Sequence, residues 1–319
     1  DWKFDGVVIS DWGGVHNTEQ AANFGLDLEM GTWTDGLSQG KTNAYDNYYL
    51  ADPLLKKIKK GEINIKIIDD KVRRLLKLIF RTVMNSQRPW GSFGTEEHAL
   101  AGRTIAENGI VLLKNDKNIL PINLNKVKKI VVVGENANKK MTLGGGSSSL
   151  KVKYEITPLD GLKKQIGNLA EIIYVKGYVS PLTEKCDPKP EIPAGYKEPN
   201  PEMLMQEAIN TAKDADIVLY FGGLNKNENQ DSEGNDRKSY NLPYGQDRLI
   251  SELAKVNKNL VVTIISGNAV AMPWIKEVPA IVEGWFGGTE SGNAIASILT
   301  GKVNPSGKLP MTIAEKLSD

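Results

Sequence analysis

Cysteine and histidine are nearly missing from this sequence: Cys186, His16 and His98 are all that its 319 residues contain. A single thiol cannot close an internal disulfide, and one Cys with two His is too few for a zinc site built on those ligands. Nor does one cysteine fix the cellular compartment. Long apolar runs are lacking as well. With none near about 18 residues, no segment reads as a membrane span. Charge of one sign is not in excess either. The 40 Lys and Arg against 39 Asp and Glu leave a formal net charge of +1, which gives no reason to expect a nucleic-acid partner. The opening residues, Asp1-Trp2-Lys3-Phe4-Asp5-Gly6, have neither a Met nor the basic and apolar regions of a signal peptide. They pass straight into a strand-like segment, and the chain reads as a piece of something longer.

What is present is ordinary for a soluble globular protein, with 40% hydrophobic and 25% charged residues. At roughly 150 residues per domain the length suggests about two domains. Gly6-Val7-Val8-Ile9-Ser10 is a continuous apolar run and predicts a strand buried on both faces, as in a parallel sheet. Residues 17–24 look helical, and Leu26 to Met30 reads as a second short buried strand. From Pro53 to Val83, Leu54, Leu55, Ile58, then Ile68, Val72, Leu75, Leu76, Ile79 and Val83 recur every three or four positions, a helical pattern. A turn-rich stretch, 85–94, marks a boundary. Beyond it, Val- and Ile-rich strands at 110–113, 130–134, 172–176, 217–221, 260–266 and 280–285 alternate with helical segments. That rhythm predicts a mostly parallel sheet covered on both faces. Two long irregular stretches, 135–157 and 222–243, are candidates for function, because compact domains seldom keep such loops otherwise.

Two βα units in about 85 residues cannot close an eight-fold barrel, which needs about 250 residues. The first part is therefore a small cap or the end of a barrel. Asp11 directly follows the opening strand, where α/β proteins collect catalytic groups. Taken alone, it reads better as a helix N-cap for residues 14–18. The 222–243 stretch holds Glu228, Asp231, Glu233 and Asp236 within nine residues. Clustered carboxylates raise one another's pKa and can keep one protonated near neutrality, although a solvated acidic loop looks the same in sequence. Gly234 lets the backbone bend beside Glu233, and Arg237 is placed to pair with Asp236. Gly144-Gly145-Gly146 with Ser147-Ser148-Ser149 lacks the lysine of a phosphate loop, and suits a sugar-binding rim as well as a nucleotide. Trp12, Trp33, Trp274 and Trp285 include candidates for stacking on a sugar, although Trp is more often simply buried. His16 and His98 have no Ser or Cys setting that would make a triad.

Together these segments resemble glycoside hydrolase family 3. Gly6-Val7-Val8-Ile9-Ser10-Asp11-Trp12 is similar to that family's nucleophile segment, and Gly25 to Met30 to the segment after it. Glu107 to Leu113 with Leu120-Pro121 resembles the start of its second domain. Glu233-Gly234-Asn235-Asp236-Arg237 with Leu242-Pro243 resembles its acid/base loop. Ser266-Gly267-Asn268 to Trp274, and Asn304 to Pro310, resemble its last sheet segments. The matches follow the family's order along nearly the whole chain and lie nearest its β-glucosidase/β-xylosidase branch.

The resemblance implies an α/β fold in which residues 1–90 are the C-terminal part of an incomplete (β/α)8 barrel and residues 91–319 an α/β sandwich. It implies a retaining, exo-acting β-glycosidase working by double displacement, with Asp11 as nucleophile and Glu233 as acid/base. Trp12 would line the leaving-group subsite, Ser147 would reach the sugar, and Gly234, Asp236 and Arg237 would support the loop. No cofactor or metal is implied; the partner is a β-glycoside or oligosaccharide, not nucleic acid or membrane. A periplasmic or secreted location is expected for the longer protein. The resemblance puts most of the barrel ahead of Asp11, so the isolated chain is expected to be inactive. An unclosed barrel end would favour self-association. A non-catalytic carbohydrate-binding or interaction module of the same architecture is the alternative, and nucleotide binding at 134–149 a third reading.

Overall fold

The computed structural model describes residues 3–30, 48–142, 150–185, 190–233 and 237–319. The chain divides into two units, Asp1–Gly91 and Ser92–Asp319.

In the first unit, segments 6–10 and 26–30 run parallel through one bridge, Ile9 to Leu28. The Val8 carbonyl accepts from Asp27 N at 2.9 Å, and the Leu28 carbonyl from Ser10 N at 3.0 Å. Helix α1 (Thr18–Asn23) separates them, capped by Asn17, whose side chain accepts from Gln20 N. Helices α2 (Asp52–Lys59) and α3 (Lys66–Arg81) follow. A small core gathers Ala22, Leu54 and Ile63, with Ile58, Ile67 and Ile68 packed on it. Beneath the paired segments lies a charged cluster. The Asp27 carboxylate accepts from Val8 N at 2.9 Å and from Arg74 Nε at 2.7 Å. The buried Lys71 ammonium donates to the carbonyls of Ala21 and Leu26, and burial pulls its pKa below the usual lysine value.

One expectation fails in this unit. The run 6–10 is not a strand buried on both faces: Val8 is 43% and Ile9 50% exposed. Each segment pairs only with the other among the described residues, so no sheet covers them. The helical pattern over 53–83 appears as α2 and α3, and Val72, Leu76, Ile79 and Val83 are exposed, as an unclosed barrel end would leave them.

The second unit is α/β. Its strands are β1 (Val111–Asn115), β2 (Lys129–Val133), β3 (Glu171–Val175), β4 (Ile217–Gly223), β5 (Leu260–Ile265) and β6 (Ala280–Glu283). They form one sheet in the order β1-β6-β5-β4-β2-β3. Every pairing is parallel except β1 with β6, at one edge. The Val/Ile runs behave as predicted, and β4, β5 and β6 are buried along their whole length. Alternation splits their side chains between two cores. Ile130, Val132, Leu219, Phe221 and Val261 pack on one face with residues of α5 (Pro158–Ile166) and α8 (Ser291–Leu299). Val131, Val133, Val218, Tyr220 and Val262 pack on the other, with α6 (Pro201–Ala212) and α7 (Gln246–Val256). Helix α4 (Glu96–Gly109) leads into β1. Burying each such aliphatic side chain contributes about 1.5–3 kcal/mol.

The cross between α5 and α8 is made by glycines. A Cβ on Gly161 would stand 2.1 Å from the Gly292 carbonyl oxygen, so the two backbones touch.

The direction of chain reversal places the loops. After β2 the chain moves outward to β3, then returns to the other side of β2 for β4. In such sheets ligands gather outside the carboxyl ends of the strands at the point where the order reverses. Because β2, β4, β5 and β6 are parallel, their following loops emerge on one edge. The carboxylate-rich stretch after β4 is among them.

Candidate active site

Asp11 comes after the paired segment 6–10. Ser10 Oγ accepts the Met30 N–H at 2.8 Å, which ties the end of that segment to its neighbour. The next turn closes when Gly14 N donates to the Asp11 carbonyl at 3.1 Å. The Asp11 side chain is exposed and accepts from Trp12 N at 2.7 Å. It does not cap α1, whose N-cap is Asn17. Trp12 is 51% exposed. Both residues therefore present their side chains to solvent at the end of a segment whose backbone is fixed.

The second candidate group begins where β4 ends. Gln246, the buried first residue of α7, accepts from Gly223 N and donates to Gly223 O, both at 2.8 Å. Gly223 has φ +118, and a Cβ there would fall 2.1 Å from the Ile265 carbonyl oxygen. Only glycine fits so close to β5 in that conformation. The stretch that follows is organised rather than loose. Asn225 Oδ1 accepts from Asn227 N at 2.8 Å, and the Asn225 carbonyl accepts from Asp231 N at 2.9 Å. Lys226 lies over the Phe286 ring at 3.7 Å and donates to the Asp231 carbonyl at 3.2 Å. Burial lowers its pKa from the usual lysine value.

The three competing carboxylates are placed differently. Asp231 bonds the turn after β5, with Oδ2 accepting from Gly267 N at 2.6 Å and Oδ1 from Asn268 Nδ2 at 2.9 Å. Glu228 pairs with Lys185 at 3.2 Å. Glu233 is exposed. Arg237 donates through Nη2 to Asn268 Oδ1 at 2.7 Å and to the Ala269 carbonyl. Lys226, Asp231, Ser232, Arg237, Tyr240 and Asn268 line a cleft of about 600 Å³ at this edge.

Ser147, Gly234, Asp236 and Trp33 lie outside the described residues, and with Asp236 goes the expected Arg237–Asp236 pair. Of the other tryptophans, Trp274 is fully buried and donates to Asp247 at 2.8 Å, so it is a core residue and no sugar platform. Trp285 is half-buried and donates to the Gly109 carbonyl at 2.9 Å. Sequence reasoning missed Lys226, Asn268 and Glu283. Glu283 ends β6, is 1% exposed, and has its pKa pushed up to about 8 by burial. A lone charge inside Ala280-Ile281-Val282-Glu283 was its available signal; Lys226 and Asn268 have none. Among the described residues no three His, Cys, Asp or Glu converge as metal ligands.

The model of the glycosyl hydrolase family 3 C-terminal domain matches residues 110–319. The whole chain is 46% identical over 326 residues to β-glucosidase BoGH3A of Bacteroides ovatus, of which it covers 42%. It is 33% identical over 318 residues to thermostable β-glucosidase B of Acetivibrio thermocellus, of which it covers 38%. The fold of the whole chain is similar to 42% of a crystal structure of a family 3 β-glucosidase from Bifidobacterium adolescentis, with a TM-score of 0.78 and 31% identity. The chain thus spans about two fifths of the length of these relatives.

Proposed function

Because the chain belongs to glycoside hydrolase family 3, we propose that it is the later part of a retaining, exo-acting β-glycosidase of the β-glucosidase type. In this reading residues 1–90 complete a barrel begun by a preceding segment, and residues 91–319 are the sandwich domain. Asp11 attacks the anomeric carbon of a terminal β-linked sugar. A bond forms from its oxygen to that carbon as the glycosidic C–O bond breaks, and Glu233 gives its proton to the departing oxygen. Glu233 then takes a proton from water, which attacks the glycosyl-enzyme and releases the sugar with retained configuration. Retention calls for the two carboxyl groups to stand about 5–5.5 Å apart in the working enzyme. Trp12 walls the leaving-group side, and Ser147 holds a sugar hydroxyl.

One observation carries this reading: the chain is 46% identical along its whole length to a β-glucosidase, and the family 3 C-terminal-domain model matches residues 110–319.

The test uses nitrophenyl β-glucoside and the intact enzyme that carries this chain. Asp11→Ala should lower turnover about 10⁴-fold or more, as loss of a nucleophile does elsewhere. Glu233→Ala should be partly rescued by azide, with a β-glycosyl azide as product. The 319-residue chain alone should fall far short of the roughly 1–10³ s⁻¹ usual for enzymes, because most groups that orient the sugar lie elsewhere. Turnover untouched by both substitutions would overturn the assignment, and binding of glycosides with no turnover in the intact protein would favour a carbohydrate-binding module.

A further inference from the structure

The stretch that carries Glu233 is tied at both ends to one turn. That turn follows β5 and is itself stiff: buried Ser266 donates through Oγ to the Asn268 carbonyl at 2.9 Å. On one side of Glu233, Asp231 places an oxygen on Gly267 N and the other on Asn268 Nδ2. On the other side, Arg237 reaches Asn268 Oδ1 and the Ala269 carbonyl. The Asn268 amide therefore uses its donor on the residue two before Glu233 and its acceptor on the residue four after it. Turned over, it would set oxygen against a carboxylate and N–H against a guanidinium, so only one orientation satisfies both partners. Lys226, held over Phe286, adds a bond to the Asp231 carbonyl from below.

We infer that Asn268, with Asp231 and Arg237, is a positioning device that fixes the acid/base carboxyl for proton transfer to the leaving group. The inference rests on the reading of Glu233 as the acid/base. Asn268 need not touch the substrate. A proton donor must come within hydrogen-bond reach of the departing oxygen, and a displacement of about 1 Å costs on the order of 100-fold in rate. Asn268 joins Asp231 and Arg237, one on each side of Glu233 in the chain, through a single side-chain amide.

A general acid matters most when the leaving group is poor, which gives the device a signature that loss of fold does not share. In the intact enzyme, kcat/KM is measured for phenyl β-glucoside and for 2,4-dinitrophenyl β-glucoside. Asn268→Ala is an exposed substitution and should lower the phenyl value about 10- to 100-fold while the dinitrophenyl value changes little. Asn268→Asp alone should be worse, since it sets two carboxylates together. The pair Asp231→Asn with Asn268→Asp restores a donor facing an acceptor, keeps an acceptor for Arg237, and should recover the phenyl value. Glu233→Gln, run alongside, separates the two readings. If Glu233→Gln is selective for the poor leaving group and Asn268→Ala is not, the device is refuted and the acid stands. If Glu233→Gln shows no such selectivity, the acid assignment fails and takes the device with it. An equal loss on both substrates in Asn268→Ala, or no recovery in the paired variant, also refutes it.

Discussion

Replacing Glu283 by Gln should stabilise the α/β unit, and by an amount that grows with pH. Glu283 ends β6 at 1% exposure. Its Oε1 accepts from Trp285 N at 3.1 Å, and Ser266 Oγ stands 3.4 and 3.5 Å from its two oxygens. These contacts ease ionisation, but burial outweighs them, and the negative charge of Asp231 adds to the rise. The carboxyl moves from an ordinary 4.5 up to about 8. Below pH 4.5 the group is protonated folded and unfolded, and it costs nothing. Between 4.5 and about 8 the unfolded chain loses the proton while the folded one keeps it, so stability falls as pH rises. Above about 8 both forms are ionised and the loss is complete. A rise of about 3.5 units at 1.36 kcal/mol each gives about 5 kcal/mol, and about 3 kcal/mol of that is lost by pH 7. Against a typical stability of about 5–15 kcal/mol this is a large share. Gln keeps the shape and stays neutral. Urea titrations of the 319-residue chain at pH 4, 7 and 9, followed by the near-ultraviolet circular dichroism of buried Trp274, read the difference. The two chains should agree within about 1 kcal/mol at pH 4 and diverge at pH 9 by several kcal/mol, the Gln form being the more stable. Parallel profiles for the two chains would refute the reasoning.

Three further outcomes follow from named contacts. Asp27→Ala leaves Arg74 without its buried partner and Val8 N without an acceptor; the loss of about 3 kcal/mol expected for half of a buried pair should appear as fast hydrogen exchange across residues 7–28, with β4 and β5 still protected. Gly161→Ala forces a methyl group into the Gly292 backbone and should lower the stability of the second unit by about 3 kcal/mol or more, read as a drop in the urea midpoint. Thr157→Ala removes the capping box that Thr157 forms with Asp160 at the start of α5, and a shift of about 1 kcal/mol in the same titration is expected.

The second unit was legible because its signals are local and mutually consistent. Val- and Ile-rich runs marked β2, β4 and β5. The strand at 110–113 was also visible, but not its antiparallel direction, which depends on β6, some 170 residues later. In the first unit the same kind of run misled. Val7-Val8-Ile9 says that burial is favourable, not that a neighbour is present, and exposed Val8 and Ile9 show the difference. Asp11 stood out by its place after an apolar segment and Glu233 by its acidic company. Asn268 did not, because its partners Asp231 and Arg237 lie 37 and 31 residues earlier in the chain. Trp274 stayed open between core and sugar platform for a related reason: indole is at home in both, and its Asp247 partner is 27 residues away.

At the site edge of the sheet, side chains bond backbone groups that no strand satisfies. Gln246 bonds both the N–H and the carbonyl of Gly223 as a neighbouring strand would. A Cβ on Gly222 would meet its Oε1 at 2.2 Å, so the fit of helix to strand end depends on glycine at both positions. The loop therefore leaves β4 from a point fixed by α7 and β5 together. It returns to the turn after β5 through Asp231 and Arg237, whose partners include Gly267 N and the Ala269 carbonyl. Origin and anchor thus lie on adjacent, paired strands, β4 and β5. Backbone partners survive changes in neighbouring side chains, so residues lining the cleft can vary without moving the frame. The cost is a few positions with no freedom, Gly223 and Gln246 foremost. Substitutions there should alter Glu233 by moving the ground on which its loop stands.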